Sequence, residues 1–159
     1  MENINEFKAA LTAVFAGISA KMGWFGWLAV IYGLSMAIDY ATGSALAGKQ
    51  HEWSSEKARE GLWHKLGSIV AVIAAALADW VIALMLANLP GVSLPFTYTV
   101  LLCPVVMIWY IITELGSIVE NVGKMGAPVP AFLRRAIAAL QDAAEQAGDK
   151  ISGEGETEQ

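Results

Sequence analysis

The sequence has few of the residues from which catalytic and metal sites are usually built. Two histidines and one cysteine occur among 159 residues, so an intrachain disulfide is excluded. His51 and His64 have no second His or Cys cluster beside them, and Cys103 lies in an apolar run, as is typical of a packed thiol. There is no glycine-rich phosphate loop, HExxH pattern, paired-cysteine motif or Ser-His-Asp grouping. We therefore predict no enzyme, no metal and no cofactor.

Charge is also scarce. Charged residues make up 16% of the chain and hydrophobic residues 56%, and the mean hydropathy is +0.51. This composition is typical of membrane proteins rather than soluble domains. The formal net charge of -5 comes from acids concentrated in the C-terminal tail and near helix ends, so it indicates no partner by itself. We expect no nucleic-acid ligand.

The longest apolar stretch is residues 66–89, which contain one charged residue, Asp79. A helix rises ~1.5 Å per residue and the hydrocarbon core is ~30 Å thick, so this stretch is long enough to span a bilayer. Residues 24–47 and 96–119 have similar character, and Pro104 is expected to kink the latter. We predict an all-α membrane protein whose three transmembrane helices, residues 24–47, 66–89 and 96–119, form a membrane domain over residues 23–126.

The regions outside this domain are predicted to be amphipathic or disordered. Residues 1–22 have apolar side chains at helical spacing, but Lys8 and Lys21 bracket a short uncharged core. This pattern favours a helix in the interface plane over a short additional span, and Gly23 permits a turn after it. A second amphipathic helix is predicted at residues 127–147, with arginines that can reach lipid phosphates. The acidic tail, residues 148–159, is predicted to be disordered.

The distribution of basic residues predicts the orientation. Four of them, Lys49, Lys57, Arg59 and Lys65, precede the second span. Placing this loop and the C-terminus inside puts eight of the ten Lys and Arg residues in the cytoplasm, as the positive-inside rule requires. We therefore predict a multi-pass membrane protein with its N-terminus outside and its C-terminus in the cytoplasm.

Polar and small residues within the spans are the candidate functional residues. Asp39 can be a buried carboxylate satisfied by its helix neighbours, or it can line a pore or contact another subunit. At mid-span, Asp79 costs about 2.5–3.5 kcal/mol, so it needs a partner, a proton or water; alanines on its face allow a second helix to approach, and Asp79→Leu is expected to tighten that packing. The third span ends in a polar seam, which is either a functional surface or a helix emerging into water. The oligomer and pore candidates are Asp39, Thr42, Gly43, Ala75, Ala76, Asp79, Ala83, Glu114, Ser117, Glu120 and Asn121.

Four features follow one another along the chain: DYATG at residues 39–43, SSEKAREGLWHKLG at 54–67, a span with a central Asp, and ITELGSIVENVGKMGAPVPAFLRRAIAAL at 112–140. In this order they resemble the phage holin family that includes the clostridial toxin-secretion holins. The resemblance covers roughly residues 24–140, and its most distinctive part is SIVENVGKMGAPVP at 117–130. The N-terminal helix and the acidic tail exceed the family pattern, so the resemblance implies nothing about either.

The resemblance implies a pore-forming homo-oligomer that accumulates in the bacterial inner (cytoplasmic) membrane and then opens it. Its cargo would be an endolysin that lyses the host or a secreted toxin, released rather than tightly bound, and the chain would come from a phage or prophage lysis cassette. Membrane lipids and further copies are the expected partners, with an antiholin as a regulator. Two alternatives remain open: the chain is itself an antiholin, or it is a membrane scaffold that does not conduct.

Overall fold

A computed structural model describes the backbone of residues 2–91 and 100–152, and the side chains of residues 23–56, 58–91 and 100–151. This part of the chain is helical and contains no strand; its helices are α1 (Glu2–Lys49), α2 (Ser55–Asn88), α3 (Leu102–Lys124) and α4 (Ala131–Ser152). Three helical stretches are long and apolar enough to cross a membrane: Gly23–Lys49, Ala58–Asn88 and Leu102–Lys124. The predicted all-α fold with three transmembrane helices is confirmed.

α1 changes direction at Gly23. This residue has φ 61° and ψ -174°, a conformation that a residue with a Cβ would adopt only under strain. The break separates residues 2–22 from the first candidate span, where the sequence predicts a turn. Because the side chains of residues 1–22 lie outside the described part of the chain, their position in the membrane interface stays a prediction.

α2 begins before the apolar stretch that predicted it. The Ser54 carbonyl accepts a hydrogen bond from the Ala58 N–H at 3.1 Å, and Glu56 lies in the first turn, where the helix dipole favours an acid. The polar segment before residue 66 is therefore continuous with the span. One helix carries both the charged loop residues and the apolar run.

α3 begins later than the predicted span of residues 96–119, and residues 92–99 lie outside the described part. Pro104 lies in the first turn of α3. The expected kink at Pro104 is wrong, because the first N–H groups of a helix have no intrahelical acceptor and a missing one costs little there.

The turn between α3 and α4 is closed by Gly126, which has φ 92°. Its N–H donates to the Gly123 carbonyl at 2.9 Å. α4 continues to Ser152, beyond the predicted end at residue 147. Residues 148–152 are therefore helical, contrary to the predicted disorder. Gly148 and Asp149 are poor helix formers, but extending a helix that is already formed costs much less than starting one. Residues 153–159 lie outside the described part.

α3 is the central helix, because it packs against α1, α2 and α4, whereas α1 and α2 have little contact. One face of α3 shares a buried cluster with α1, and the opposite face shares another with α4. Cys103 is buried in the first cluster, as expected of a packed thiol. The first cluster comprises Tyr32, Met36, Cys103, Met107 and Ile111; the second comprises Ile112, Ile137 and Ala144.

Candidate functional site

An ion cluster joins α1, α2 and α3 well inside the candidate spans. Lys65 Nζ donates to Asp39 Oδ2 at 2.9 Å and to Glu114 Oε2 at 2.5 Å. The three side chains are 12–16% exposed. Each lies ten residues from the same end of the bundle, a depth of ~15 Å at ~1.5 Å per residue. A single ammonium group thus fixes the relative height of three helices.

Neutral polar groups complete the surroundings of Asp39. Asn121 Nδ2 donates to Asp39 Oδ1 at 3.2 Å and to Thr42 Oγ1 at 3.4 Å, and the Ser117 hydroxyl also interacts with this carboxylate. A Cβ on Gly43 would lie 3.6 Å from Asn121 Nδ2, an ordinary van der Waals distance, so position 43 faces the same group of polar side chains. The sequence candidates Asp39, Thr42, Gly43, Ser117 and Asn121 therefore meet in one place.

Asp79 caps the N-terminus of α3. Its Oδ1 accepts the N–H groups of Leu101 at 3.2 Å and Leu102 at 2.9 Å, and its Oδ2 accepts that of Cys103 at 2.8 Å. These N–H groups have no acceptor within the helix, and the partial positive charge at a helix N-terminus favours a carboxylate. Asp79 is 3% exposed. The partner that an acid inside a span requires is the backbone of another helix.

This cap lies deep in the apolar region. Asp79 is nine residues before the end of α2, which corresponds to ~14 Å along the helix. Backbone groups at membrane depth must be satisfied by the protein when no water is present. The carboxylate satisfies three of them, and so it allows α3 to begin beside the middle of the apolar run of α2.

The alanines predicted to share the Asp79 face lie in different surroundings. Ala75 packs against the buried cluster between α1 and α3, and Ala83 is half-buried. Ala76 is exposed, so of these three it presents the most accessible small surface to another helix. Contact with a second subunit through these alanines stays a prediction.

Glu120 lies apart from the cluster. Its side chain is 65% exposed, and its Oε1 forms an ion pair with Lys124 Nζ at 2.7 Å. The predicted polar seam of the third span therefore divides: Glu114, Ser117 and Asn121 approach α1 or α2, whereas Glu120 faces away. An exposed pair of this kind contributes only about 0.3–0.5 kcal/mol.

The sequence analysis did not single out Lys65 as part of the site, since it directly precedes the second apolar stretch and counts as a flanking basic residue. A related polar contact lies one turn further along α2: Tyr32 Oη donates to Ser68 Oγ at 2.8 Å, and Ser68 Oγ donates to the Lys65 carbonyl at 2.8 Å. The sequence offers no basic residue within the first or third span to pair with Asp39 or Glu114, and this could have pointed to Lys65 as their partner. Among the described residues, every buried side-chain N or O atom has a hydrogen-bond partner.

These features define a multi-pass membrane protein whose helices are joined by internal charges. The model of the bacteriophage holin family matches residues 16–142, a region that contains the ion cluster and the Asp79 cap. The chain belongs to the bacteriophage holin family, as its motifs predict. It is also similar to an uncharacterized protein of Halalkalibacterium halodurans, with 34% identity over 142 residues that cover 89% of this chain and 96% of the relative. No solved structure matches the chain.

Proposed function

We propose that this chain is a pore-forming holin, which assembles in the bacterial cytoplasmic membrane and permeabilises it without catalysing a reaction. The opening would release an endolysin or a secreted protein. Membership of the holin family supports this proposal, together with three helices of spanning length. Most Lys and Arg residues lie in the loop before the second span or after the third span, which supports an outside N-terminus and a cytoplasmic C-terminus.

The observation that carries the proposal is the surface that α2 leaves uncovered. In its most apolar 18-residue stretch, 6% of the residues are buried within the subunit, and Val70 and Trp80 are 64% and 63% exposed. Such a surface faces lipid or another helix, and exposed small residues such as Ala76 allow close helix packing in a membrane.

Side chains fill the interior of the single subunit. Met36 from α1 packs with Met107 and Ile111 from α3, and all three are buried. In this proposal the opening therefore forms between copies rather than through one copy, and self-association becomes a requirement for leakage.

Controlled expression tests the proposal when membrane potential and cell density are followed together. We expect the potential to collapse after a lag, and cell density to fall when an endolysin is present. Purified protein in liposomes should release trapped dye, and the release should rise steeply with the ratio of protein to lipid. Ala76→Leu, which adds volume to an exposed helix face, should delay collapse, whereas Val70→Leu should change its timing little.

Two outcomes would contradict a holin function. If the chain accumulates in the membrane, the membrane potential persists and liposomes retain their dye, the chain acts as a scaffold. If it delays lysis by a co-expressed holin and causes no leakage alone, it acts as an antiholin.

A further inference from the structure

A groove opens between the last turns of α3 and the first half of α4. A Cβ on Gly123 would lie 3.7 Å from Val129 Cγ2, and one on Gly116 would lie 3.8 Å from Ile137 Cγ2, so α4 runs back along α3 from the turn. These four residues line a cavity of about 940 Å³ between the two helices. Its volume lies within the ~300–1,000 Å³ that is typical of ligand sites.

The groove lies at the end of the bundle that the proposed topology places in the cytoplasm. Lys65 directly precedes the apolar run of α2 and pairs with Glu114, so this pair marks the height at which that run ends. Along α3, Gly116 lies ~3 Å beyond Glu114 and Lys124 lies ~15 Å beyond it. The interfacial layer extends roughly 5–8 Å beyond the hydrocarbon core. The groove therefore includes the height of the lipid headgroups.

The end of the groove nearer the turn is basic. Arg134 lines it, and its Nη2 donates to the Val129 carbonyl at 3.5 Å, a long hydrogen bond that an anion can replace. Lys124 also lines it and pairs with Glu120, and both side chains of this pair are more than half exposed, so Lys124 can exchange this carboxylate for another anion. Residues 121–141 contain three basic residues and no acid. An anion at this end therefore meets net positive charge.

The other end of the groove is mainly apolar. Val119 packs against the cluster that contains the buried Ile137, and Ala138 lines the groove beside them. The Thr113 hydroxyl at this end donates to the Trp109 carbonyl at 2.9 Å, so its hydrogen is already used. The apolar end lies toward the membrane and the basic end away from it. This is the order of acyl chain and phosphate in a phospholipid of the cytoplasmic leaflet.

We propose that the groove between α3 and α4 binds an anionic phospholipid of the cytoplasmic leaflet. Lys124 and Arg134 hold the phosphate, and an acyl chain lies against Val119 and Ala138. Basic pockets between membrane helices on the cytoplasmic side bind lipid headgroups in other proteins. From sequence alone, both arginines of α4 are expected to reach lipid phosphates, whereas the groove distinguishes them: Arg134 lines it, and Arg135 lies outside it.

Lipid binding to the purified chain tests the headgroup contacts. The protein is delipidated in a non-ionic detergent and titrated with phosphatidylglycerol or with phosphatidylcholine of the same acyl chains, and the bound lipid is counted by native mass spectrometry. We expect phosphatidylglycerol to bind several-fold more tightly than phosphatidylcholine. Arg134→Gln and Lys124→Gln should each weaken phosphatidylglycerol binding several-fold. Arg135→Gln is the matched control, since it removes the same charge from the neighbouring position, and it should leave binding unchanged.

Glu120→Gln should have the opposite effect. It frees Lys124 from its ion pair, so phosphatidylglycerol should bind more tightly than it does to the unmodified chain. Asp142→Asn removes an exposed acid of α4 that lies outside the groove and should change the affinity little. Equal tightening by both variants would assign the effect to net charge and would count against a site that contains Lys124.

A pair of larger side chains tests the acyl contact. Ala138 and Ala139 are both exposed, so a ring is accommodated at either position, but of the two only Ala138 lines the groove. Ala138→Phe should fill the groove and weaken phosphatidylglycerol binding several-fold, whereas Ala139→Phe should not. Inorganic phosphate, added as a competitor, should not displace the lipid, because it has no acyl chain to occupy the apolar end.

Three results would overturn the inference. Equal weakening by Arg134→Gln and Arg135→Gln would indicate a general attraction between basic residues and anionic lipid. Phosphatidylcholine that binds as tightly as phosphatidylglycerol would remove the role of charge. Displacement by inorganic phosphate, with no effect of Ala138→Phe, would indicate a site for soluble anions.

This inference rests on the proposed function only for the orientation of the chain, and binding in detergent is measured without any leakage. The two can therefore fail separately. A chain that binds phosphatidylglycerol but releases no dye from liposomes contradicts the proposed function alone. A chain that releases dye but shows no preference for phosphatidylglycerol contradicts this inference alone.

Discussion

Asp79 and Asp39 are both acids within apolar helices, and they are stabilised in different ways. Asp79 accepts three backbone N–H groups at the start of α3, whereas Asp39 pairs with the Lys65 ammonium group and accepts from Asn121. Because the cap uses only backbone N–H groups of residues 101–103, it does not depend on their side chains, but it requires a hydrogen-bond acceptor at position 79. The ion cluster requires particular side chains on three helices.

Together the two contacts hold α2 to α3 at two heights. Lys65 binds Glu114, and Asp79 binds the N–H of Cys103. Most of α2 is exposed, and in a membrane apolar surface alone gives little drive for helices to associate. Polar contacts should therefore provide much of the stability of the α2–α3 pair, and removing either contact tests this.

Lys65→Met should have the largest effect, because it leaves Asp39 and Glu114 close together without their cation. Removing one partner of a buried ion pair costs about 3–5 kcal/mol. The measurement is the free energy of unfolding in mixed micelles titrated with denaturing detergent. Lys124→Met, which breaks the exposed pair with Glu120, is the matched control and should cost at most ~0.5 kcal/mol.

A neutral version of the cluster separates charge from packing. The triple variant Lys65→Met, Asp39→Asn and Glu114→Gln should regain most of the stability that the single variant loses, because no unpaired charge remains. A triple variant as unstable as Lys65→Met would show that the loss does not come from charge.

Asp79→Leu should destabilise the protein by roughly 3 kcal/mol, since it leaves three N–H groups at the start of α3 without an acceptor: the buried one of Cys103, for which the cost is about 1–3 kcal/mol, and the part-buried ones of Leu101 and Leu102, for which it is smaller. Hydrogen exchange at the Leu102 and Cys103 amides should accelerate in parallel. Ala76→Leu adds a similar side chain at an exposed position of the same helix and should leave this exchange unchanged. Slow exchange at Leu102 in Asp79→Leu would contradict the capping role.

Asp79→Asn should have an intermediate effect. Its carbonyl oxygen can still accept from Leu101 and Leu102, but the amide nitrogen cannot accept the N–H of Cys103. The expected loss is about 1–3 kcal/mol for that one group, with faster exchange confined to the Cys103 amide. If Asp79→Asn and Asp79→Leu unfold at the same detergent concentration, the individual N–H contacts do not determine stability.

The existence of three spans follows from apolar length, and the turn at Gly23 follows from the conformational freedom of glycine. The partner of Asp79 could not be predicted, because it is a set of backbone N–H groups. Every residue except proline has such a group, so the sequence does not show which of them Asp79 contacts. From position alone, Asp79→Leu was expected to tighten packing, whereas the cap geometry predicts the opposite. Spacing on one helix also could not decide that Glu114 faces Lys65 while Glu120 faces away, since that depends on how the helices are rotated.

Tyr32→Phe should have the smallest effect of the series, because it removes a neutral hydrogen bond between α1 and α2 and no charge. Tyr32 Oη donates to Ser68 Oγ at 2.8 Å, and its ring stays in the buried cluster when the hydroxyl is removed. The expected loss is about 0.5–1.5 kcal/mol, and Tyr40→Phe, at an exposed position, should cost less.

Combining Tyr32→Phe with Ser68→Ala tests whether this bond is the source of the loss. The double variant should cost less than the sum of the two single variants, because the second change removes a group whose partner is already gone. Strict additivity would instead assign the Tyr32 effect to solvation of its hydroxyl. Among the described residues, the contacts that remain between α1 and α2 would then be the Asp39–Lys65 pair, the packing of Val72 and Ala75 against the cluster that contains Tyr32, and their shared contact with α3.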